Sequence, residues 1–228
     1  MTAGVASRPG IPWYVHPAEN PSAWARLGQI FSKADGLADG FVVVNVHNGP
    51  GEENDPYYGP ALQQLRIAAP GLVTLGYVDV DYGRRDADQV LGDAADWRRR
   101  YGLAGIMLDR FPSGDGPGHS RATQDALNVV ARLRDSGAQH VAGNPGVVPV
   151  PDVRKALDIT CEFEGTAGEY LSNDLPGGEG SWHLVHSCRH DEIRRARAAA
   201  RSTGAAHGYF TDAAPPHPWC WSPLAAGG

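Results

Sequence analysis

An acidic residue ends a short apolar stretch near the middle of the chain. The stretch Gly105-Ile106-Met107-Leu108 predicts a strand that can be buried on both faces, and Asp109 follows it directly. Pro112 and Gly114 then open a loop. An acid at the carboxyl end of such a strand stands where α/β folds place their chemistry. Asp109 alone is equally consistent with a loop-capping role, so its meaning depends on the other strand ends.

Several other predicted strands also end in polar residues. Strand side chains alternate between two faces, so residues two apart share a face. The polar groups that this rule places together are Tyr14 with His16, Asn45 with His47, Tyr77 with Asp79 and Asp81, and Glu162 with Glu164, and Asn144 ends a further strand. If these faces point inward in a barrel, its mouth is a polar bowl that holds two or more carboxylates.

Two carboxylates in a sugar-sized cleft are typical of glycoside hydrolysis. One carboxylate stays ionised, and the other holds a proton for the leaving oxygen. Asp109 and Glu164 end different strands and can face each other across the mouth. Aromatic side chains that would offer stacking faces to sugar rings are Trp13, Tyr14, Tyr77 and Tyr82. Packing in the core is the alternative role for each of these aromatic residues. For Glu162, the alternative is a structural acid that is paired with a His or an Arg.

Strand and helix patterns alternate along the whole chain. The predicted strands are Ile11–His16, Phe41–His47, Leu72–Val80, the stretch ending in Asp109, His140–Gly143, Leu157–Phe163, Trp182–His186 and His207–Thr211. Helical spacing between them indicates parallel pairing. Eight such units in 228 residues predict a (β/α)8 barrel as one domain over residues 1–228. An open doubly wound sheet is the alternative, but His16-Pro17 follows the first strand in place of a glycine-rich phosphate loop.

Composition limits the classes of partner. The net charge of -6 gives no sign of nucleic-acid binding, and no apolar run is long enough for a membrane span. The amino terminus lacks a signal peptide, so a cytoplasmic location is expected unless a leader has been removed. Three cysteines without paired spacing predict neither disulfides nor zinc. His183 and His186 lie on opposite strand faces, so neither a metal nor another cofactor is expected.

Ordered motifs along the chain resemble a known family. They are Ile11-Pro12-Trp13-Tyr14-Val15-His16-Pro17, Asn45 with Gly49-Pro50-Gly51, Gly76-Tyr77-Val78 with Tyr82-Gly83, Gly105 to Asp109, Asn144-Pro145-Gly146 and Phe163-Glu164-Gly165. Together they resemble the spherulin-4-like family, spherulation-specific family 4, over nearly the whole chain. The resemblance implies a (β/α)8 barrel and kinship with hydrolases of α-1,4-linked galactosamine-containing polysaccharides such as fungal galactosaminogalactan.

The resemblance also implies which acids act. The family's catalytic pair ends strands four and six, which corresponds to Asp109 and Glu164 here. The family's hydrolases carry Asp-Glu at the end of strand four, whereas this chain has Arg110 at the second position. A fixed positive charge beside Asp109 predicts a lowered pKa for its carboxyl. Such a charge suits a nucleophile or an anionic group of the substrate.

Three functions therefore stay open. The first is a retaining glycosidase with Asp109 as nucleophile and Glu164 as acid/base, whose sugar is oriented or contacted by Tyr14, His16, Asn45, His47, Tyr77, Asp79, Asp81, Arg110, Asn144 and Glu162. The second is a carbohydrate-binding barrel that has lost catalysis through Arg110. The third is a metal-dependent hydrolase that uses His16, His47 and Asp109. A polysaccharide or oligosaccharide is the expected partner of the first two.

Overall fold

A computed structural model describes residues 7–32, 40–114 and 119–219 of the chain. The ends of the predicted domain, including Cys220, lie outside the described residues. Parallel strands β1 to β8 follow one another in chain order and close into a barrel, with Arg8 of β1 paired to His207 of β8. The strands are β1 Arg8–Trp13, β2 Phe41–Val44, β3 Val73–Asp79, β4 Gly105–Asp109, β5 His140–Asn144, β6 Ile159–Thr166, β7 Gly178–His186 and β8 Ala205–Phe210.

Helices follow the first seven strands and cover the outside of the barrel. They are α1 Pro21–Ser32, α2 Tyr58–Ala68, α3 Ala87–Tyr101, α4 His119–Asp135, α5 Pro151–Ala156, α6 Ala167–Ser172 and α7 His190–Thr203. The (β/α)8 prediction is confirmed, and the open-sheet alternative is wrong. No helix within the described ranges is long and apolar enough to span a membrane.

Helix α6 was not predicted from the sequence. Thr166 caps it by accepting the Glu169 backbone N–H, and the Glu169 carboxylate accepts the Thr166 N–H in return. This reciprocal pair is a capping box, a recognisable start signal for a helix. The signal is present in the sequence, but the helix is only six residues long. A helix of this length is too short for its apolar residues to show a helical repeat in the sequence.

The first two strands are shorter at their carboxyl ends than predicted. β1 ends at Trp13, and the His16 carbonyl accepts the backbone N–H groups of Glu19 and Asn20, so the chain has already turned. β2 ends at Val44, and the N–H groups of Val46 and His47 both bond the Gly49 carbonyl. These turns move the predicted polar ends of both strands into loops.

The next three strands are aligned at their polar ends. Asp79 of β3 is paired in register with Asp109 of β4, and Asp109 is paired with Asn144 of β5. Helix α3 fixes β3 from outside, because the Trp97 indole donates to the Tyr77 carbonyl at 2.7 Å. The Trp97 ring lies so close to Gly76 that a Cβ there would approach it to 2.5 Å. This register brings three polar side chains to one level of the mouth.

Candidate active site

Asn144 connects the two predicted catalytic acids. Its side-chain Nδ2 donates to Asp109 Oδ1 at 2.8 Å and to Glu164 Oε2 at 2.6 Å. Its Oδ1 accepts the Gly146 backbone N–H at 2.9 Å, so the amide can face the acids only with its NH2 group. Asp109 and Asn144 are the last residues of β4 and β5, and Glu164 lies two residues before the end of the adjacent β6. The structure therefore brings the two acids to one rim of the barrel.

Asp109 receives hydrogen bonds from three directions. The Tyr77 hydroxyl donates to Asp109 Oδ2 at 2.7 Å, Asn144 donates to Oδ1, and the Arg110 backbone N–H donates as well. Burial raises the pKa of Asp109 above its ordinary value, and these donors oppose the rise. Tyr14 packs edge-on against Tyr77 at 5.8 Å between ring centroids, and burial together with the Asp109 charge raises the Tyr14 pKa. The Tyr14 and Tyr77 side chains therefore stay uncharged beside Asp109.

Glu164 has a different set of neighbours. Burial and the nearby Asp109 charge raise its pKa, while hydrogen bonds from Asn144 and from the Trp219 side chain lower it, with a net rise. Trp219 follows β8 and packs against His186 and Tyr209, at 5.8 Å and 6.3 Å between ring centroids. Sequence reasoning did not assign Trp219 to the site. Its position in a proline-rich tail carries no periodic signal that could have done so.

The Arg110 guanidinium is directed at Asp79 and Asp81 and not at Asp109. Its Nε donates to Asp79 Oδ1 at 2.9 Å, one Nη also contacts Asp79, and the other Nη lies 2.8 Å from Asp81 Oδ1. Although burial alone would raise it, these contacts lower the pKa of Asp79. The expectation of a lowered Asp109 pKa is wrong: burial outweighs the hydrogen bonds to this carboxyl, including the one from the Arg110 backbone N–H, and the pKa is raised. The guanidinium charge is compensated by two other carboxylates.

Three of the four polar residues predicted from β1 and β2 lie elsewhere. His16 Nε2 contacts Asp55 Oδ2 at 3.0 Å, and its ring lies against Tyr57 and Tyr58. Asn45 Oδ1 accepts the Gly49 backbone N–H at 2.9 Å. His47 is exposed in the loop after β2. None of the three is among the described residues that line the cleft around Asp109 and Glu164.

Glu162 does not share a face with Glu164. The pairing of β6 with β7 shifts register between Cys161 and Phe163, so a bulge at Glu162 interrupts the alternation. Glu162 is buried, and its Oε1 lies 3.0 Å from Arg154 Nε of α5. The alternative of an acid paired with an arginine matches this contact.

A cleft opens above the acid pair. Its volume is about 340 Å³, and it is lined by Tyr82, Asp109, Arg110, Asn144, Pro145, Gly146, Glu164 and His186. A second cavity of about 390 Å³ shares Gly146 and Glu164 with the cleft and adds the exposed Val147 and Val148. Between α3 and α4 lies a larger groove of about 600 Å³, but it contains none of the strand-end residues. The two adjoining cavities give the site room for more than one sugar.

Metal-ligating residues are not clustered at this mouth. Within residues 7–32, 40–114 and 119–219, no group of three or more His, Cys, Asp or Glu side chains is arranged to hold a metal ion. His16 is engaged with Asp55, and Asp109 is engaged with Tyr77 and Asn144. The ligand set proposed for a metal-dependent hydrolase, His16, His47 and Asp109, is therefore not assembled.

Comparisons with known proteins show which fold and which family this chain shares. Its fold matches the crystal structure of Aspergillus clavatus Sph3 in complex with GalNAc, with a TM-score of 0.78 and 22% identity over 99% of this chain and 97% of that one. Two structures of the Rhizobium etli pyruvate carboxylase carboxyl transferase domain match at 17% and 15% identity, with TM-scores of only 0.33 and 0.35. These matches cover 82% and 87% of this chain but only 29% and 32% of the carboxylase chains. A search of curated proteins finds no match. The family model of spherulation-specific family 4 matches residues 10–225, and the chain therefore belongs to that family.

Proposed function

We propose that the protein is a retaining glycoside hydrolase that acts on an α-1,4-linked polysaccharide containing amino sugars of the galactosamine type. Asp109 is the nucleophile and Glu164 is the general acid and base. The observation that carries the proposal is the hydrogen bonding of one Asn144 amide to both carboxyl groups. A chain that used either acid only to hold a loop would have no need to bring the two together.

The spacing of the acids supports retention of configuration. Asp109 Oδ1 and Glu164 Oε2 both bond the same nitrogen, so they are no more than about 5.4 Å apart, the sum of the two bond distances. Retaining glycosidases hold their carboxyl groups roughly 5–5.5 Å apart, whereas inverting enzymes leave about 6.5–9.5 Å for a water molecule. The spacing suits direct attack on the anomeric carbon.

The hydrogen bonds divide the two roles. Asp109 accepts from a phenol, an amide and a backbone N–H, and all three favour its ionised form. Glu164 accepts from Asn144 and Trp219, and the Asp109 charge opposes its ionisation. Two acids this close titrate as a coupled pair, so the first proton to bind is shared unequally. Asp109 is the less exposed of the two, but it accepts more hydrogen bonds, so we assign the ionised form to Asp109 and the proton to Glu164.

The chemistry then follows in two balanced steps. Glu164 gives its proton to the glycosidic oxygen while an Asp109 oxygen attacks the anomeric carbon, and the bond to the leaving sugar breaks. The ionised Glu164 next takes a proton from water, whose oxygen attacks the same carbon and releases Asp109. The product keeps the anomeric configuration of the substrate.

The class of substrate is inferred from the family and the cleft. The Sph3 structure was solved in complex with GalNAc, an amino sugar. The cleft and the adjoining cavity together offer about 340 Å³ and 390 Å³ to a ligand. An open cleft with a neighbouring cavity suits a polymer that extends past the cleavage point.

The binding-only alternative receives less support. It rested on Arg110 standing where the family's hydrolases carry a second acid after strand four. The ion pairs of Arg110 with Asp79 and Asp81 direct its charge away from Asp109 and Glu164. Both acids keep the partners that the hydrolytic mechanism requires.

The proposal is tested by removing each acid. We expect Asp109→Asn and Glu164→Gln each to lower kcat by about 10³-fold or more, because each removes a group that acts on the reacting atoms. The assay follows reducing ends released from α-1,4-linked N-acetylgalactosamine oligomers, and NMR of the first product gives its anomeric configuration. Asp55→Asn is the matched control, since it replaces a carboxylate on the other side of the mouth. Turnover by both acid variants at the wild-type rate would contradict the proposal.

A further inference from the structure

The loop that carries Tyr82 has an unusual backbone. Asp81 and Tyr82 lie in a single helical turn after β3, and both have left-handed φ angles, of 46° and 54°. Arg110, just after β4, also has a left-handed φ of 52°. Residues with side chains adopt this conformation at a cost, and they keep it only where surrounding contacts hold them. Three such residues therefore mark a place where the local geometry is enforced.

Arg110 supplies the contacts that hold this loop. Its carbonyl accepts the Tyr82 backbone N–H at 2.7 Å, and its guanidinium joins Asp79 to Asp81. The guanidinium carbon of Arg110 lies 5.7 Å from the centre of the Tyr82 ring, and that of Arg84, which also pairs with Asp81, lies 5.6 Å from it, so two cations contact this ring. Gly83 fixes the far side of the loop, because a Cβ there would come within 2.6 Å of the Ala122 carbonyl on α4.

Tyr82 presents its ring to the cleft. The side chain is 49% exposed and lines the cleft together with Asp109 and Glu164. Of the other aromatic residues considered for stacking, Trp13 and Tyr77 are buried, and Tyr14 packs against Tyr77. An aromatic face in a wet, polar cleft is a surface on which the C–H groups of a sugar ring can pack.

We propose that Tyr82 is the sugar-stacking platform of the cleft and that Arg110 is the positioning residue that fixes it. The inference rests on the proposed function, because it takes a sugar to be the occupant of the cleft. Arg110 thereby has a use of its own at the position where the family's hydrolases carry a second acid. Its guanidinium contacts Asp79, Asp81 and the Tyr82 ring. The sugar packs on the ring that these contacts position.

Removal of the Tyr82 ring tests the platform. We expect Tyr82→Ala and Tyr82→Asn to raise KM roughly tenfold with kcat within about threefold of the wild type, while Tyr82→Trp keeps KM. Asn tolerates the left-handed backbone, so a folded Tyr82→Asn protein separates loss of the ring from loss of the loop. Tyr57→Ala is the matched control, because Tyr57 is 54% exposed and is not among the described residues that line the cleft. A KM for Tyr82→Asn equal to that of Tyr57→Ala would overturn the platform.

A double-mutant cycle tests the positioning role. We expect Arg110→Gln to raise KM about as much as loss of the ring, and to add little in the Tyr82→Asn background, because both changes remove one platform. Full additivity, or an unchanged KM for Arg110→Gln, would overturn the role of Arg110.

Calorimetric titration with an α-1,4-linked N-acetylgalactosamine tetramer distinguishes this inference from the proposed hydrolysis. The Glu164→Gln protein should bind the tetramer, and the Tyr82→Asn change in that background should weaken binding roughly tenfold. Equal affinity with and without Tyr82 contradicts the platform while leaving the hydrolysis intact. Weakened binding alongside undiminished turnover by Glu164→Gln contradicts the catalytic roles and leaves the platform intact. Failure of the wild-type protein to bind the tetramer would overturn the platform.

Discussion

The two sides of the barrel mouth use similar residues for different purposes. Near β1 and β2, His16 bonds Asp55 and Asn45 bonds the Gly49 N–H, so the polar groups build loops. Near β4 to β6, Asn144 donates to both Asp109 and Glu164, and all three line the cleft. Both sides are polar, but the first side uses its polar atoms in loop hydrogen bonds, whereas the second side directs them into the cleft.

The difference follows from where the strands stop. β2 ends at Val44, so Asn45 is already in a turn and finds a backbone N–H four residues away. β5 continues to Asn144, so the Asn144 backbone still pairs with β4. This pairing directs the Asn144 side chain towards the neighbouring strands. A polar residue at a strand end serves chemistry when the ladder still holds it, and serves a loop when the chain has begun to turn.

The sharpest test of this comparison replaces one asparagine on each side. We expect Asn144→Ala to lower kcat by about 10²–10³-fold, because it removes the donor that positions both acids. Asn45→Ala should leave kcat within about threefold and lower the free energy of unfolding by about 1 kcal/mol, the usual value of one hydrogen bond. Steady-state kinetics and urea unfolding of both variants measure the contrast.

A pH profile separates positioning by Asn144 from general damage to the fold. Loss of its N–H donor raises the pKa of both acids further, so both limbs of the kcat/KM profile should move to higher pH. A protein that is only partly folded would lose amplitude with its limbs unmoved. Equal kinetic losses for Asn144→Ala and Asn45→Ala would remove the distinction between the two sides.

A smaller effect is expected from a pair of tyrosines. The Tyr77 hydroxyl donates to Asp109, whereas the Tyr58 hydroxyl donates to the Asn45 carbonyl at 2.7 Å. Tyr77→Phe removes a donor that holds the Asp109 pKa down, so the acidic limb of kcat/KM should move to higher pH and kcat should fall roughly tenfold. Tyr58→Phe should leave the profile in place. An acidic limb that does not move in Tyr77→Phe would show that Asp109 is not the group that must be ionised.

Much of the site was predictable because it depends on register. The apolar runs that end in Asp109 and Asn144 predict buried parallel strands, and parallel strands in a barrel align their carboxyl ends. Register places Asp109 beside Asn144, whereas the β5–β6 ladder pairs only Ala142 with Ile159 and Gly143 with Thr160 and does not reach Glu164. The barrel itself follows from the alternation of strand and helix patterns along the chain.

Other parts of the site depend on backbone features that the alternation of side chains along a strand does not reveal. The bulge at Glu162 changes which β6 residues face the interior, and no glycine or proline in the sequence marks it. Arg110 stands beside Asp109 in sequence, but its left-handed backbone carries the guanidinium to Asp79 and Asp81. Trp219 reaches Glu164 from beyond the last strand, and such a contact depends on the whole path of the tail.

The smallest predicted effect concerns the stability that each side's acids contribute. Although burial alone would raise it, hydrogen bonds from His16 and from the backbone of Tyr57 and Tyr58 lower the pKa of Asp55. An acid whose pKa is lower in the folded protein stabilises the fold above its unfolded pKa, and this contribution disappears as the pH falls through the folded value. Glu164 has a raised pKa, so the fold loses stability as the pH rises through that value.

The two acids should therefore respond in opposite ways to neutralisation. At pH 7, Asp55→Asn should lower the free energy of unfolding by about 1 kcal/mol, whereas Glu164→Gln should leave it unchanged or raise it. The deficit of Asp55→Asn should shrink below the ordinary aspartate pKa of 3.8, where the wild-type carboxylate also becomes protonated. Urea unfolding at a series of pH values measures both. A Glu164→Gln protein less stable than Asp55→Asn at pH 7 would mean that the cleft acid is held for the fold, as the acids near β1 and β2 are, and the contrast between the two sides would fail.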